Sequence, residues 1–201
     1  DNPYEGEDQE VTATIRERVV VAPALPDGPP TTRRQFAQFR LQAAADRNRS
    51  YTALYHVATR QMRRLANDSM PNAQLSDDGR TAVLVTNVPY QIEALAGEGG
   101  NDVHVVNTIS GASRQVATHI RGSGQLSPAA KYVIWWDAGA WQAHDIAASR
   151  TRNLTAAIPG ASFEQETHDT PSEPTPWGVG GWTIADARVL IYDRFDIWEV
   201  D

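Results

Sequence analysis

Apolar residues in this chain fall in short runs rather than helical stripes, and Asp, Gly, Pro or Ser bound most of them. That is the pattern of strands joined by tight turns. Three stretches repeat it. Gln74-Leu75-Ser76-Asp77-Asp78-Gly79-Arg80-Thr81 leads into the apolar run Ala82–Val85, and Gln125–Tyr132 leads into Val133-Ile134-Trp135-Trp136. Gly181–Arg188 leads into Val189–Tyr192. Each reads as a short strand, a turn, one basic residue and a β-rich strand. Leu75, Leu126 and Trp182 anchor the copies, 51 and 56 residues apart.

A second half-repeat follows each: Asp102–Asn107, Trp141–Ile146 and Asp196–Asp201, with an earlier copy in Tyr51–Val57. After three of these come a turn, a basic residue and a fourth short strand, at Arg60–Leu65, Ser113–Ala117 and Thr151–Leu154. Polarity alternates residue by residue through Ala143, His144, Asp145 and Ile146, as in a strand with one buried face. Gln35–Asp46 is Ala-rich, but Phe36, Phe39 and Leu41 sustain no helical stripe, so it too reads as a strand. No segment reads as a helix.

Four hairpin-linked strands at a period near 50 residues make a propeller blade. The expected fold is therefore all-β, a β-propeller of about 3.5 to 4 blades. Residues 1–16, with Asp1, Glu5, Glu7, Asp8 and Glu10, read as an acidic flexible or edge segment. Residues 17–201 carry the blades, at about 17–67, 70–118, 122–156 and 178–201. The last supplies only three strands and so a bare edge. Either Arg18-Val19-Val20-Val21-Ala22 pairs with residues 196–201 to close a ring, or the chain continues beyond Asp201, which is the simpler reading. An open fragment is expected to self-associate through such edges.

Composition narrows the partners. With 201 residues, 41% apolar and 21% charged, the chain can bury a core. Acidic residues outnumber basic ones 25 to 18, a net charge of −7 that argues against nucleic acid as a partner. Cysteine is absent, which excludes disulfides, cysteine-ligated zinc and a thiol nucleophile. No apolar run reaches the ~18–20 residues of a membrane span, so no membrane partner is expected. The chain opens at Asp1 without an apolar leader, placing any targeting segment outside it. Residues 33–64 hold eight arginines against Asp46, a basic face suited to docking an acidic domain.

Candidate chemistry is sparse. Glu164-Gln165-Glu166-Thr167-His168-Asp169 gathers three carboxylates and a histidine, which could hold a hard cation or an ammonium group. The loop reads instead as a solvated insertion stiffened by Pro171, Pro174 and Pro176. His104 and His144, at matching strand positions, could ligate zinc or iron, though a recurrent half-exposed strand residue accounts for both. Trp135, Trp136, Trp141 and Trp198 suit wedges between blades. Trp177 and Trp182 bracket a Gly-rich turn, with stacking on a ligand as the alternative. Arg121-Gly122-Ser123-Gly124-Gln125 lacks the spacing of a G-x-S-x-G nucleophile elbow, and nothing forms a triad. No catalytic, cofactor-binding or metal-binding residue is therefore expected in this chain.

Leu126-Ser127-Pro128, Lys131 to Asp137 and Thr151-Arg152-Asn153-Leu154-Thr155 resemble blades of the prolyl oligopeptidase family of serine peptidases. His168 to Pro174, Trp177 to Thr183 and Leu190 to Trp198 strengthen the resemblance, which is specific over about residues 120–201. It points to the N-terminal propeller of large, exported bacterial members. What it implies is a non-catalytic propeller that scaffolds a following α/β-hydrolase domain and gates peptide access to it. That domain and the peptide substrate would be the partners. Paired glutamates that hold a substrate amino terminus in dipeptidyl-peptidase relatives are not carried over to Glu164-Gln165-Glu166. The alternative is a free-standing propeller binding a protein or small ligand.

Overall fold

The computed structural model of the protein describes residues 11–15, 50–57, 60–165 and 174–201. The chain divides into two compact units, residues 1–67 and 68–201. In the first, strands β1 (Val11–Ile15), β2 (Tyr51–His56) and β3 (Gln61–Arg64) form an antiparallel sheet in that order. Arg18–Ala22 and Gln35–Asp46 lie outside the described residues.

The second unit holds three antiparallel meanders. The first is β4 (Asn72–Leu75), β5 (Thr81–Thr86), β6 (Asn101–Asn107) and β7 (Ser113–Ile120). The next is β8 (Gln125–Leu126), β9 (Tyr132–Asp137), β10 (Ala140–Asp145) and β11 (Arg150–Asn153). The last has only β12 (Val179–Trp182), β13 (Val189–Tyr192) and β14 (Ile197–Val200). Every strand pairs with its neighbours in sequence, and consecutive sheets pack face to face, as blades do. The chain is all-β and folds as β-propeller blades. Numbering them from the N-terminus, the second unit contains blades two, three and four.

Apolar side chains seal the blades together. Val83, Val103, Val105 and Ile120 of blade two meet Leu126, Val133 and Trp135 of blade three. From the other face of blade three, Ile134, Trp136, Trp141, Ala143 and Leu154 meet Val189 and Ile191 of blade four, with Trp182 and Trp198 against them. The tryptophans expected between blades lie there. Trp182 joins them, because it belongs to β12 and stacks on Tyr132 with ring centroids 5.7 Å apart.

The turn after the first strand of each blade follows one rule. Ser76 Oγ accepts a hydrogen bond from Thr81 N (3.1 Å), Ser127 Oγ from Tyr132 N (2.9 Å) and Thr183 Oγ1 from Arg188 N (2.8 Å). Three residues into each turn the backbone is left-handed, with φ of 68° at Gly79, 56° at Ala130 and 53° at Asp186. Gly79 takes that conformation without strain. The Pro-Ala-Ala turn thus keeps the conformation of its Asp-Gly sibling. The shared register also puts Ala187, not Arg188, in the place of Arg80 and Lys131. The basic residue of the third copy therefore stands one position later than its repeat suggests.

Two sequence expectations need correction. Between β5 and β6 a 3-10 turn at Val88–Tyr90 runs into a one-turn helix at Gln91–Ala94. Four residues are too few to show a helical period, so the sequence hides it. Strand register also shows that His104 and His144 are not equivalent. His104 faces Leu84 and Gln142 faces Trp135 across their hairpins, so His104 corresponds to Gln142 and His144 to Val106.

Candidate functional site

Connections between strands leave the blades at two ends, and the more varied end carries the site. There the hairpin tip Ala138-Gly139 joins β9 to β10 with positive φ at both residues (48° and 75°), a primed two-residue turn. Beside it run the link Arg121–Gly124, entering blade three, and the described parts of the link entering blade four, residues 163–165 and 174–178. Together they enclose a cleft of about 600 Å³.

Trp136 and Trp141 form its apolar wall, edge to face at 5.7 Å and 65°. Both belong to the core between blades three and four, so the wall is rigid. Trp141 is fixed further by its backbone, whose N–H donates to Thr155 Oγ1 (3.2 Å) and whose carbonyl accepts from Leu154 N (2.8 Å). Asn153 Oδ1 takes the N–H groups of Thr155 and Ala156, each at 2.9 Å, and turns the chain out of β11. The indole N–H groups of Trp141 and Trp177 are buried without an acceptor among the described residues. Buried donors of that kind are uncommon and costly.

Two charged residues face this wall. Glu164 is half-buried and anchored by a bridge to Pro176, while Gln165 N donates to Thr175 O (2.8 Å). Its carboxylate lies over Gly139, where an added Cβ would come within 2.7 Å of Oε1. Arg121 also lines the cleft; its backbone N–H donates to Asp137 Oδ1 (3.4 Å) and its guanidinium to Gly97 O (3.5 Å). At Gly122 a Cβ would meet the Trp136 carbonyl at 2.7 Å, so glycine lets the link pass close behind the wall.

Arg121 ties the cleft to the insertion between β5 and β6. Tyr90 OH donates to buried Asp102 (2.6 Å), which also accepts the His119 N–H (3.0 Å). The Tyr90 and His119 rings stack at 4.3 Å. His119 Nε2 sits 3.1 Å from Glu93 and 3.2 Å from the Glu98 carbonyl. The Asp102 hydrogen bond pushes the Tyr90 hydroxyl above its usual range. A tyrosine held protonated beside a carboxylate is a clamp, and it carries no nucleophile. It pins the insertion while leaving Ile92 and Leu95 84% and 89% exposed.

The sequence candidates fall in several places. Glu164 lies in the cleft, whereas Glu166, His168 and Asp169 are outside the described residues. His144 is buried in blade three, with Nδ1 3.0 Å from Thr151 Oγ1 and Nε2 3.4 Å from Arg114. Burial first, and then the Arg114 charge, lower its pKa. No group of three or more His, Cys, Asp or Glu able to hold a metal occurs among the described residues. The Tyr90–Asp102–His119 clamp went unread in the sequence. Its one signal is the length of the β5–β6 connection against the two residues that join β9 to β10.

No family model matches the chain, and no curated protein does. Solved structures are similar to it at very low identity. It is 10% identical to the tricorn protease over 52% of this chain and 11% of that one, with a TM-score of 0.36. TolB from Acinetobacter baumannii matches at 12%, over 76% of this chain and 37% of its own, with a TM-score of 0.41. The β-propeller domain of the Trilobed protease from Pyrococcus furiosus matches at 8%, over 75% and 63%, with a TM-score of 0.38. The chain spans less than two thirds of each.

Proposed function

We propose that this chain is a non-catalytic propeller module of a prolyl-oligopeptidase-like serine peptidase. It scaffolds an α/β-hydrolase domain outside this chain and gates peptide access to it. The cleft between blades three and four carries the reading. A rigid pair of indoles offers an apolar platform, and Glu164 and Arg121 line the same cleft. A peptide has the matching parts: apolar side chains, a cationic group for Glu164 and a carbonyl or carboxylate for Arg121. Exposed Ile92 and Leu95, at the same end of the blades, suit the docking of a neighbouring domain. The resemblance over residues 120–201 supports the choice of family.

Titration with short apolar peptides bearing a free amine, followed by tryptophan fluorescence, tests the reading. Saturable quenching is expected, with about tenfold weaker binding in Glu164→Gln, the scale of a charge-assisted contact worth about 1.4 kcal/mol. The chain alone should hydrolyse none of these peptides. Turnover blocked by a serine-directed inhibitor, or quenching indifferent to Glu164→Gln, would overturn the proposal.

A further inference from the structure

One side chain fastens the β5–β6 connection, and a strand is bent to aim it there. The register pairs Asn101 with Ile120 and Val103 with Ala117, so Thr118 and His119 together face Asp102. That is a β-bulge, which re-aims a strand residue. His119 has a φ of 51°, a left-handed conformation uncommon outside glycine. Asp102 holds it by accepting the His119 N–H at 3.0 Å. The ring then leaves the sheet and stacks on Tyr90. It fits because residue 100 is glycine, where an added Cβ would collide with the ring's Cδ2.

The tip of the ring meets two oxygens. Nε2 lies 3.1 Å from Glu93 Oε2 and 3.2 Å from the Glu98 carbonyl. An ionised carboxylate and a carbonyl only accept, so the nitrogen between them carries a proton. One ring thereby ties the helix Gln91–Ala94 and the chain just beyond it to the end of β7. Little else among the described residues does. No residue from 87 to 99 is buried. The N–H groups of Leu95, Ala96, Gly97 and Glu98 donate to Ile92, Glu93, Ala94 and Glu93, all inside the connection. Its other ties to the blade are polar: Tyr90 to Asp102, and the Arg121 guanidinium to Gly97 O. A segment with so few buried apolar contacts opens locally at low cost, and one charge-assisted bond can set how often.

We propose that His119 is a pH-sensitive clasp: a protonated ring pairs with Glu93 and fastens residues 91–98 to the end of β7, and loss of that proton loosens them. The charged ring is a cation with a donor at each nitrogen. A neutral ring keeps a shared hydrogen bond at most, and only in the tautomer that carries its proton on Nε2. The ionisable groups around it are Glu93 and Glu98 on the connection, Tyr90 under the stack, Asp102 on β6 and Arg121 two residues on. Of these, Glu93 supplies the carboxylate at hydrogen-bond distance from the ring. The clasp is therefore tight where histidine is charged, and it slackens as pH rises through the range in which histidine loses that charge.

Amide exchange of the full chain between about pH 5 and pH 8 tests this, with each rate divided by the intrinsic rate at its pH. Protection of Leu95, Ala96, Gly97 and Glu98 is expected to fall about two- to fivefold across that range, the scale of a partly exposed ion pair. Glu93→Gln, which keeps an acceptor, should hold protection near the high-pH level throughout, and so should His119→Gln, which keeps a donor. Glu93 is exposed, so its variant keeps the test open even where His119→Gln disturbs the bulge. Three results would each overturn the proposal: flat protection in the wild type, a fall that persists in Glu93→Gln, or amides at 95–98 that exchange as slowly as those of β5 and β6. The last would mean that the connection opens only with its blade. No peptide and no second domain enter the measurement, so its outcome is separate from that of the proposed function.

Discussion

Blades three and four place four equivalent residues on equivalent faces, with opposite fates. In blade three they are Ile134, Trp136, Trp141 and Ala143, all buried against blade four. In blade four they are Leu190, Tyr192, Ile197 and Glu199, with Tyr192 38% and Ile197 59% exposed. The pairing of second strand with third is in the same register in both, so the alternation that makes the strand does not decide what is buried. The next blade does. Where a neighbour packs on, the third-strand residue is small and apolar; where none is described, it is a glutamate that an apolar neighbour could not tolerate unpaired.

The sharpest way to break this comparison is to truncate one isoleucine on each face. Ile134→Ala removes a fully buried side chain from the seam and should cost about 2–5 kcal/mol, by lost burial and the cavity left behind. Ile197→Ala should stay within about 0.5 kcal/mol, as exposed substitutions do. Urea midpoints of the two variants read the difference directly. Equal losses would mean that blade four's outer face is already covered.

A smaller effect is expected where the seam is polar. Asp186, 2% exposed, reaches from the first turn of blade four to that of blade three, where it accepts Ala129 N at 3.1 Å and Lys131 N at 3.2 Å. Asp186→Ala strands both donors and should cost about 1–3 kcal/mol. Glu199→Ala, on the outer face, loses only an exposed ion pair worth about 0–1 kcal/mol. Differential unfolding of the two variants checks the ranking, and a larger loss for Glu199 would invert the proposed roles of the two faces.

Much of this frame was legible before any coordinates. The Leu-Ser and Trp-Thr anchors mark where each blade starts, because a serine or threonine must cap a turn in which one backbone is left-handed. Fourth strands were legible too, from the basic residue after each third strand. Register was not fully so. Matching Trp141–Ile146 to Asp102–Asn107 slips by one residue, and with a period of two a single slip exchanges faces. The connections at 87–100 and 138–139 differ so much that spacing could not correct it. The cleft was hidden for another reason: Trp136 comes from strand β9, Arg121 and Glu164 from two separate links, and only folding brings them together.

The smallest effect concerns the inner face of blade three and acid. His144 is neutral by circumstance: buried first, and beside the Arg114 guanidinium second, it has a pKa below the ordinary histidine value near 6.5. A depressed folded pKa means that the unfolded chain binds the proton more readily. The stability tied to this residue is therefore complete above about pH 6.5 and falls as pH drops through the folded value. Among the described residues, blade four's outer face has no histidine to contribute such a dependence. Wild-type urea midpoints should decline below about pH 6.5, and His144→Gln, which keeps a polar side chain near Thr151, should flatten the upper part of that decline. If the decline persists unchanged in the variant, its source is the carboxylates instead, and His144 is a spectator between blades two and three.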